Sequence, residues 1–186
     1  MRKNLEAYLH EKKLHFVEKI SKGYSSEVFL VENRNGKKFA LKLEKEKSPR
    51  VNMVQKEAEN LKLANSCGIG PKLFDADDKR GIVLMEFIEG KTFSEWLFET
   101  NVSKHKLQSF LTYLFVQAEQ LDKIGLDHGQ LAGKGKNILV RNSKPVIIDF
   151  EKASHNRKCR NVNQLKSLIY LNPHSAIPKM VKEILG

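Results

Sequence analysis

Two cysteines, one tryptophan and five prolines in 186 residues remove several possibilities at once. Cys67 and Cys159 are too few and too far apart for a disulfide scaffold or a four-ligand zinc site. Both are expected to be ordinary thiols in a reducing cytoplasm. No stretch reaches 18 uninterrupted apolar residues, so no membrane-spanning helix is expected. The opening "MRKNLEAYLHEKK" is basic but has no apolar core segment and no small-residue cleavage site, and does not read as a secretory signal. Internal repeats and low-complexity segments are missing too. Acidic residues are in deficit: 22 Asp and Glu face 33 Lys and Arg, a net charge of +11 and a pI near 9.6. Such a surface attracts polyanions, whether nucleotide, RNA or acidic protein. Scattered lysines are ordinarily solvated surface, but "KGKN", "HNRKCRN" and "SPRVNMVQK" are concentrated enough to stand out.

What remains is enough for a core, since 40% of the residues are hydrophobic. The length fits one domain or two small lobes. A first helix is expected over Asn4–Lys13, with Leu5, Leu9 and Ala7 or Tyr8 inward. From His15 the period changes to that of strands: Phe16–Ile20, Glu27–Glu32, then Lys38–Leu43 after an Asn35-Gly36 hairpin turn. Ser48-Pro49 is expected to open a helix that runs to Asn65, with Gly68 beyond its end. Met53, Val54, Ala58 and Leu61 form its apolar stripe. Glu57 lies on that stripe and Glu59 off it. Pro71–Asp75 and Gly81–Phe87 read as strands and Thr92–Glu99 as a short helix. Lys104–Ile124 is the clearest helix, with Leu107, Phe110, Leu111, Leu114, Phe115, Ala118 and Leu121 at threes and fours. A strand pair around "NSKP", Ile138–Arg141 and Val146–Ile148, precedes two closing helices near Asn163–Leu171 and Ile177–Leu185. The order predicts an α+β chain of two lobes, residues 1–87 and 88–186.

Several of these elements carry residues suited to phosphoryl transfer, which needs a cover over the phosphates, a fixed cation, a metal clamp and something to orient the acceptor. "ISKGYSSEVFLV" joins the first two strands. Gly23 lets backbone amides approach an anion, and the serines add hydroxyls. "FALK" puts Lys42 on the third strand in alternation with Ala40. A carboxylate on an apolar stripe is costly unless paired, and a strand lysine is a ready partner for Glu57 that would hold Lys42 toward phosphate. "GIVLMEFIEGKTF" is an apolar strand ending in a polar link. If the link is a hinge, backbone groups of Glu86 and Ile88 can meet an adenine edge. In "HGQLAGKGKN", Asn137 offers a neutral oxygen to a hard cation. Asp149 ends the apolar run "VII" and suits Mg²⁺. His128 reads as a residue that holds its loop by hydrogen bonds.

These motifs occur in protein-kinase order: "KGYSSEV", "FALK", Glu57, "MEF", "HGQ…N", "DFE". From about His15 to Leu171 the chain resembles a minimal atypical protein kinase. It is similar to the RIO kinases, to the small archaeal kinase of the KEOPS tRNA-modification complex, and to predicted archaeal Ser/Thr kinases with "DHGQL" and "IDFE" motifs. The resemblance implies a two-lobed kinase-like fold: an antiparallel-sheet N-lobe with one helix, and a reduced, mostly helical C-lobe. It implies ATP and Mg²⁺ as cofactors. By it, Gly23 and Ser25 cover the phosphates, Lys42 and Glu57 form the ion pair, and Asn137 and Asp149 hold metal. There are departures. Ser21 and Ser26 replace the outer glycines of the phosphate loop. Gln130 stands where the catalytic aspartate belongs. Seven positions separate Gln130 from Asn137, where kinases have five. Glu151 replaces the last glycine of the metal-binding triplet. Only 35 residues follow Glu151, which leaves no room for an activation segment and peptide-binding lobe.

Gln130 slows transfer without forbidding it, because a general base typically contributes about 10²–10⁴-fold. Its amide oxygen can accept a bond from an acceptor hydroxyl. Lys134 or Lys136 can neutralise the transferring phosphate, while Glu151 and Asp127 are weaker candidates for a substitute carboxylate. The leading expectation is a slow ATP- and Mg²⁺-dependent Ser/Thr kinase acting on itself or on a protein in an RNA-bound assembly. The alternative is an ATP-binding pseudokinase or an ATPase switch in such an assembly. A small-molecule phosphotransferase of the aminoglycoside type would need a larger helical lobe. A pure RNA-binding module leaves Glu57 and "VIID" unexplained.

Overall fold

A computed structural model describes residues 3–45 and 53–186. The chain forms two compact units. One comprises the residues up to Lys62 together with Pro71–Phe87; the other comprises Leu63–Gly70 and Ile88–Gly186.

The first unit is built on five antiparallel strands: β1 (Leu14–Lys22), β2 (Ser26–Asn33), β3 (Lys38–Glu44), β4 (Leu73–Asp77) and β5 (Ile82–Glu86). Their order in the sheet is β1-β2-β3-β5-β4. Alternation along β3 sorts the residues by face. Phe39, Leu41 and Leu43 join Phe29 and Val31 of β2 and Ile82 and Leu84 of β5 in a buried cluster. That cluster is closed by Leu5, Tyr8 and Leu9 of helix α1 (Lys3–Lys12). Each such side chain taken fully out of water stabilises by roughly 1.5–3 kcal/mol. Tyr8 is the inward residue and Ala7 is exposed. The tyrosine also donates its hydroxyl to Asp75 of β4 (2.8 Å), and Lys12 reaches the same carboxylate at 2.7 Å.

The β2–β3 turn follows its Asn-Gly signal: Gly36 has φ +72° and its N–H donates to the Asn33 carbonyl at 3.0 Å. The fourth strand begins at Leu73, two residues later than Pro71. Proline has no N–H for a ladder, and the pairing with β5 starts at Leu73↔Met85. Helix α2 (Met53–Asn65) buries Met53, Val54, Ala58 and Leu61, as its stripe predicts. The expected start at Ser48-Pro49 lies outside the described residues. Gly68 (φ +70°) ends the turn beyond Asn65: its N–H goes to the Asn65 carbonyl (3.0 Å), and that of Ile69 to Ala64 (3.0 Å). This is the paired C-terminal closure in which a glycine takes the left-handed position.

The second unit is mostly helical. Thr92 caps α3 (Phe93–Glu99) with a reciprocal pair of bonds to Glu95. Helix α4 (Lys104–Lys123) buries six of the seven stripe residues; Phe115 is half-buried and stacks on Tyr170 with ring centroids 6.1 Å apart. Phe93 and Trp96 of α3 meet Phe110 of α4 at 5.2 and 4.8 Å. A small sheet runs in the order β6 (Lys91–Thr92), β7 (Ile138–Arg141), β8 (Lys144–Ile147). The hairpin turns on Asn142 and Ser143, both at positive φ, so Lys144 and Pro145 belong to the strand. Proline is tolerated because β8 is an edge. β6 is too short to show a period in sequence. Gly90 beside it has no spare volume: a Cβ there would overlap the Val140 carbonyl. The expected helix over Asn163–Leu171 is two pieces, α5 (Asn161–Lys166) and a π-turn over Ser167–Leu171, followed by α6 (Ala176–Leu185). No described helix is long and apolar enough to cross a membrane.

Candidate active site

In the first unit, strand alternation turns Ala40 and Lys42 away from the α1 cluster. Cross-strand neighbours Val28 and Val83 flank Lys42. Lys42 is therefore 8% exposed, and an ammonium group in that setting needs a counter-charge. Glu57, 3% exposed on the stripe of α2, supplies it: Nζ to Oε2 is 2.7 Å. A buried pair of this kind is weak evidence for stability, because desolvation offsets its attraction. It fixes the position of the ammonium group.

The β1–β2 connection closes tightly. Gly23 N–H donates to the Ser26 carbonyl at 2.9 Å, so this amide is engaged inside the turn. Lys45 Nζ reaches the carbonyls of Gly23 and Tyr24. Gly23 is exposed and Ser25 buried. At the far end of β5, Glu86 N–H donates to the Lys72 carbonyl at 2.8 Å, and its carboxylate accepts from Lys72 N–H at 3.2 Å.

The second unit holds the loop that begins "LDHGQ". Asp127, 4% exposed, accepts from Arg157 Nε, from Arg160 N–H at 3.0 Å and from Gln164 Nε2 at 3.1 Å. Its backbone pairs with Ser154 in both directions. With its carboxylate so engaged, Asp127 is a framework residue. His128 is fully buried. Its backbone N–H donates to Asn161 Oδ1 (2.8 Å) and its Nε2 lies 3.0 Å from the Ile148 carbonyl. A carbonyl can only accept, so Nε2 carries the proton; Nδ1 is buried with no hydrogen-bond acceptor among the described residues, which favours the neutral ring. Burial holds its pKa below the usual imidazole value. This agrees with a loop-holding role. Asn161, also fully buried, donates Nδ2 to Asp122 (2.7 Å) and to the Leu126 carbonyl (2.8 Å).

Gln130 and Asn137 lie on this loop, and Asn137 Nδ2 faces the Gln130 carbonyl at 3.5 Å. The Asn137 carbonyl accepts from Ile148 N–H at 2.9 Å, which ties the loop to the end of β8. Asp149 follows with φ +66° and ψ +68°. Left-handed backbone is rare outside glycine, although aspartate tolerates it better than most. Such strain concentrates at functional positions. A 3-10 turn over Phe150–Lys152 comes next. It returns Glu151 so that one of its carboxylate oxygens lies within 4.8 Å of one on Asp149. Oxygens sharing a small octahedral cation are about 3–4 Å apart, so the Asp149 and Glu151 carboxylates are near enough to serve one hard divalent ion.

Arg157 was visible in sequence only as part of a basic run. It is a clamp: Nε binds Asp127, and Nη2 donates to the carbonyls of Asp127 (3.1 Å) and Lys152 (2.7 Å). It also explains the glycine of "HG". Gly129 has φ +79°, and a Cβ there would overlap Nη2 and fall 2.9 Å from Cζ. Asp122, Asn161 and Gln164 are likewise invisible as a set, because their partners lie more than thirty positions away.

A five-stranded antiparallel sheet with one ion-paired strand lysine, followed by a mostly helical unit, is the fold of the atypical protein-kinase class. The chain belongs to the RIO-domain family, whose model matches residues 6–167. It is similar to an uncharacterized protein of Methanocaldococcus jannaschii, 28% identical over 102 residues, which cover 55% of this chain and 84% of that protein. It is also similar to the KEOPS complex subunit Bud32 of Pyrococcus abyssi, 33% identical over 114 residues, covering 59% of this chain. That match spans 46% of the Bud32 subunit, less than half its length.

Proposed function

We propose that this protein is an ATP- and Mg²⁺-dependent atypical Ser/Thr kinase that phosphorylates a protein or itself. The observation that carries the reading is the buried Lys42–Glu57 pair at 2.7 Å, a cation fixed where only a costly desolvation could keep it. Lys42 binds phosphate oxygens, with Gly23 and Ser25 at the neighbouring turn. Backbone groups of Glu86 and Ile88 receive the base. Asp149 and Asn137 hold magnesium, and Glu151 extends that set. The ion would supply charge neutralisation for the phosphates, the largest requirement of a loose transition state. Gln130 positions the acceptor hydroxyl through its amide oxygen.

One observation favours a second reading, an ATPase switch or nucleotide-binding pseudokinase within an assembly. Asp127, the nearest carboxylate preceding Gln130, is bound by three donors, so it does not replace the absent base. Similarity to a subunit of the KEOPS complex supports a setting among other proteins. Incubation with γ-labelled ATP and Mg²⁺, following labelled protein and free phosphate together, separates the readings. Label on protein that falls by about 10² or more in Asp149→Ala establishes the kinase. Asp149-dependent free phosphate without labelled protein establishes the ATPase. Mg²⁺-ATP stabilisation with neither product establishes the pseudokinase.

A further inference from the structure

Between Asp127 and Glu183 the chain carries eleven Lys and Arg but only two acids, Asp149 and Glu151. Five of those cations, Lys134, Lys136, Lys152, Lys158 and Arg160, sit on two loops, 129–137 and 152–160, and all five are exposed. The loops are neighbours. Arg157 binds Asp127 and the Lys152 carbonyl, and lies against Gly129 where a side chain would otherwise start. Arg160 N–H closes onto Asp127 (3.0 Å), and Ser154 pairs with Asp127. Leu131 N–H is held by Gln164 Oε1 at 2.9 Å. The result is a ledge next to the Gln130 loop: exposed Lys152, Lys158 and Arg160 ride on a segment that Arg157 clamps to Asp127, while Lys134 and Lys136 lie farther along the first loop, where Gly135 packs against Phe93 and Ser94.

We propose that this ledge is the acceptor-docking surface, and that the acceptor is an acidic protein segment: a serine or threonine flanked by aspartate and glutamate. The inference rests on the kinase reading and specifies its substrate class. Charge complementarity sets the sign of the partner. The absence of aromatic residues decides its class. Among residues 129–137 and 152–160 there is no Phe, Tyr or Trp, so the ledge offers no platform on which unpaired bases stack. Carboxylates need only exposed ammonium and guanidinium groups, and these can engage an extended peptide while its hydroxyl approaches Gln130.

The test has two readouts, so that docking and catalysis fail separately. In the first, a fluorescein-labelled peptide with one serine among aspartates and glutamates is titrated with the full chain, by anisotropy at low and at raised salt. A peptide with alanines in place of the acids is titrated alongside. The proposal expects binding of the acidic peptide alone, weakened by salt and reduced roughly tenfold in Lys152→Glu, Lys158→Glu. In the second, γ-labelled ATP is followed onto the same peptides, with ATP turnover in the absence of peptide as a control that the double variant leaves unchanged. Selective labelling of the acidic peptide supports the proposal. If no peptide is labelled but selective binding persists, the ledge stands and the kinase reading fails. Equal binding of both peptides, or indifference to the charge reversals, overturns the proposal. So does a single-stranded RNA oligonucleotide that binds more tightly than the acidic peptide and displaces it.

Discussion

Among the described residues each unit buries one carboxylate that faces a cation, and the two are solved differently. Glu57 is met by the ammonium group of Lys42, in a setting otherwise made of strand and helix side chains. Asp127 is met by a guanidinium group, a backbone N–H and a side-chain amide, all from the 157–164 segment, with Asn161 and Asp122 bonded alongside. The first arrangement fixes a single charge and contributes little to the frame. The second is a mesh in which each member satisfies several others. A pair can be replaced as a unit; a mesh cannot.

Removing the mesh's centre should do most damage. Asp127→Ala strands three donors, and should cost about 3–5 kcal/mol in urea unfolding. Adding Arg157→Ala should recover little of it, because Arg160 N–H and Gln164 remain unserved. The pair should behave in the opposite way. Lys42→Met leaves Glu57 without its lysine and should cost roughly 3 kcal/mol. The double change Lys42→Met, Glu57→Leu should return within about 1 kcal/mol of the parent while Mg²⁺-ATP no longer raises Tm. Recovery in both double variants would erase the distinction. Next in size is Gly129→Ala. It combines a left-handed backbone with displacement of Arg157, and should cost about 2 kcal/mol. Its cost should shrink when Arg157 is already alanine.

The smallest effect is a pH slope. The described histidines of the first unit are exposed, whereas His128 is buried and neutral. Burial depresses its folded-state pKa below the ordinary 6.5. As pH falls through 6.5 the unfolded chain takes up a proton that the folded chain refuses, so stability present above 6.5 is progressively lost below it. His128→Gln should flatten that slope when urea midpoints at about pH 7.5 and about pH 5.5 are compared. An unchanged slope would show that another group carries it.

The same contrast governs what could be read from the sequence. The sheet, α2 and α4 follow from periods within a few residues, and the Glu57–Lys42 pair from one carboxylate out of place on an apolar stripe. The reading of His128 as a loop holder agrees with its bonds to Asn161 and to the Ile148 carbonyl. The Asp127 mesh was not legible, since nothing local connects position 127 to 157, 160 and 164. There "HNRKCRN" read as surface charge, although Arg157 and Asn161 are framework. β6 and the π-turn escaped for a different reason. A two-residue strand has no period, and the π-turn shifts the phase of a helical pattern that looks continuous. The exposure of Lys152, Lys158 and Arg160 became meaningful only when the Arg157 clamp put their segment against the loop that carries Gln130.

The first unit takes its residues from both sides of Leu63–Gly70, a segment that belongs with the second. A gene fragment ending at Phe87 would encode all of the first unit. The complementary fragment would begin at Ile88 and lack eight residues of the second, including Ala64 and Ile69, which are buried. No single break in the coding sequence therefore yields two intact halves. Recombination can exchange this protein as a whole, but it cannot shuffle its units with those of a relative at one crossover.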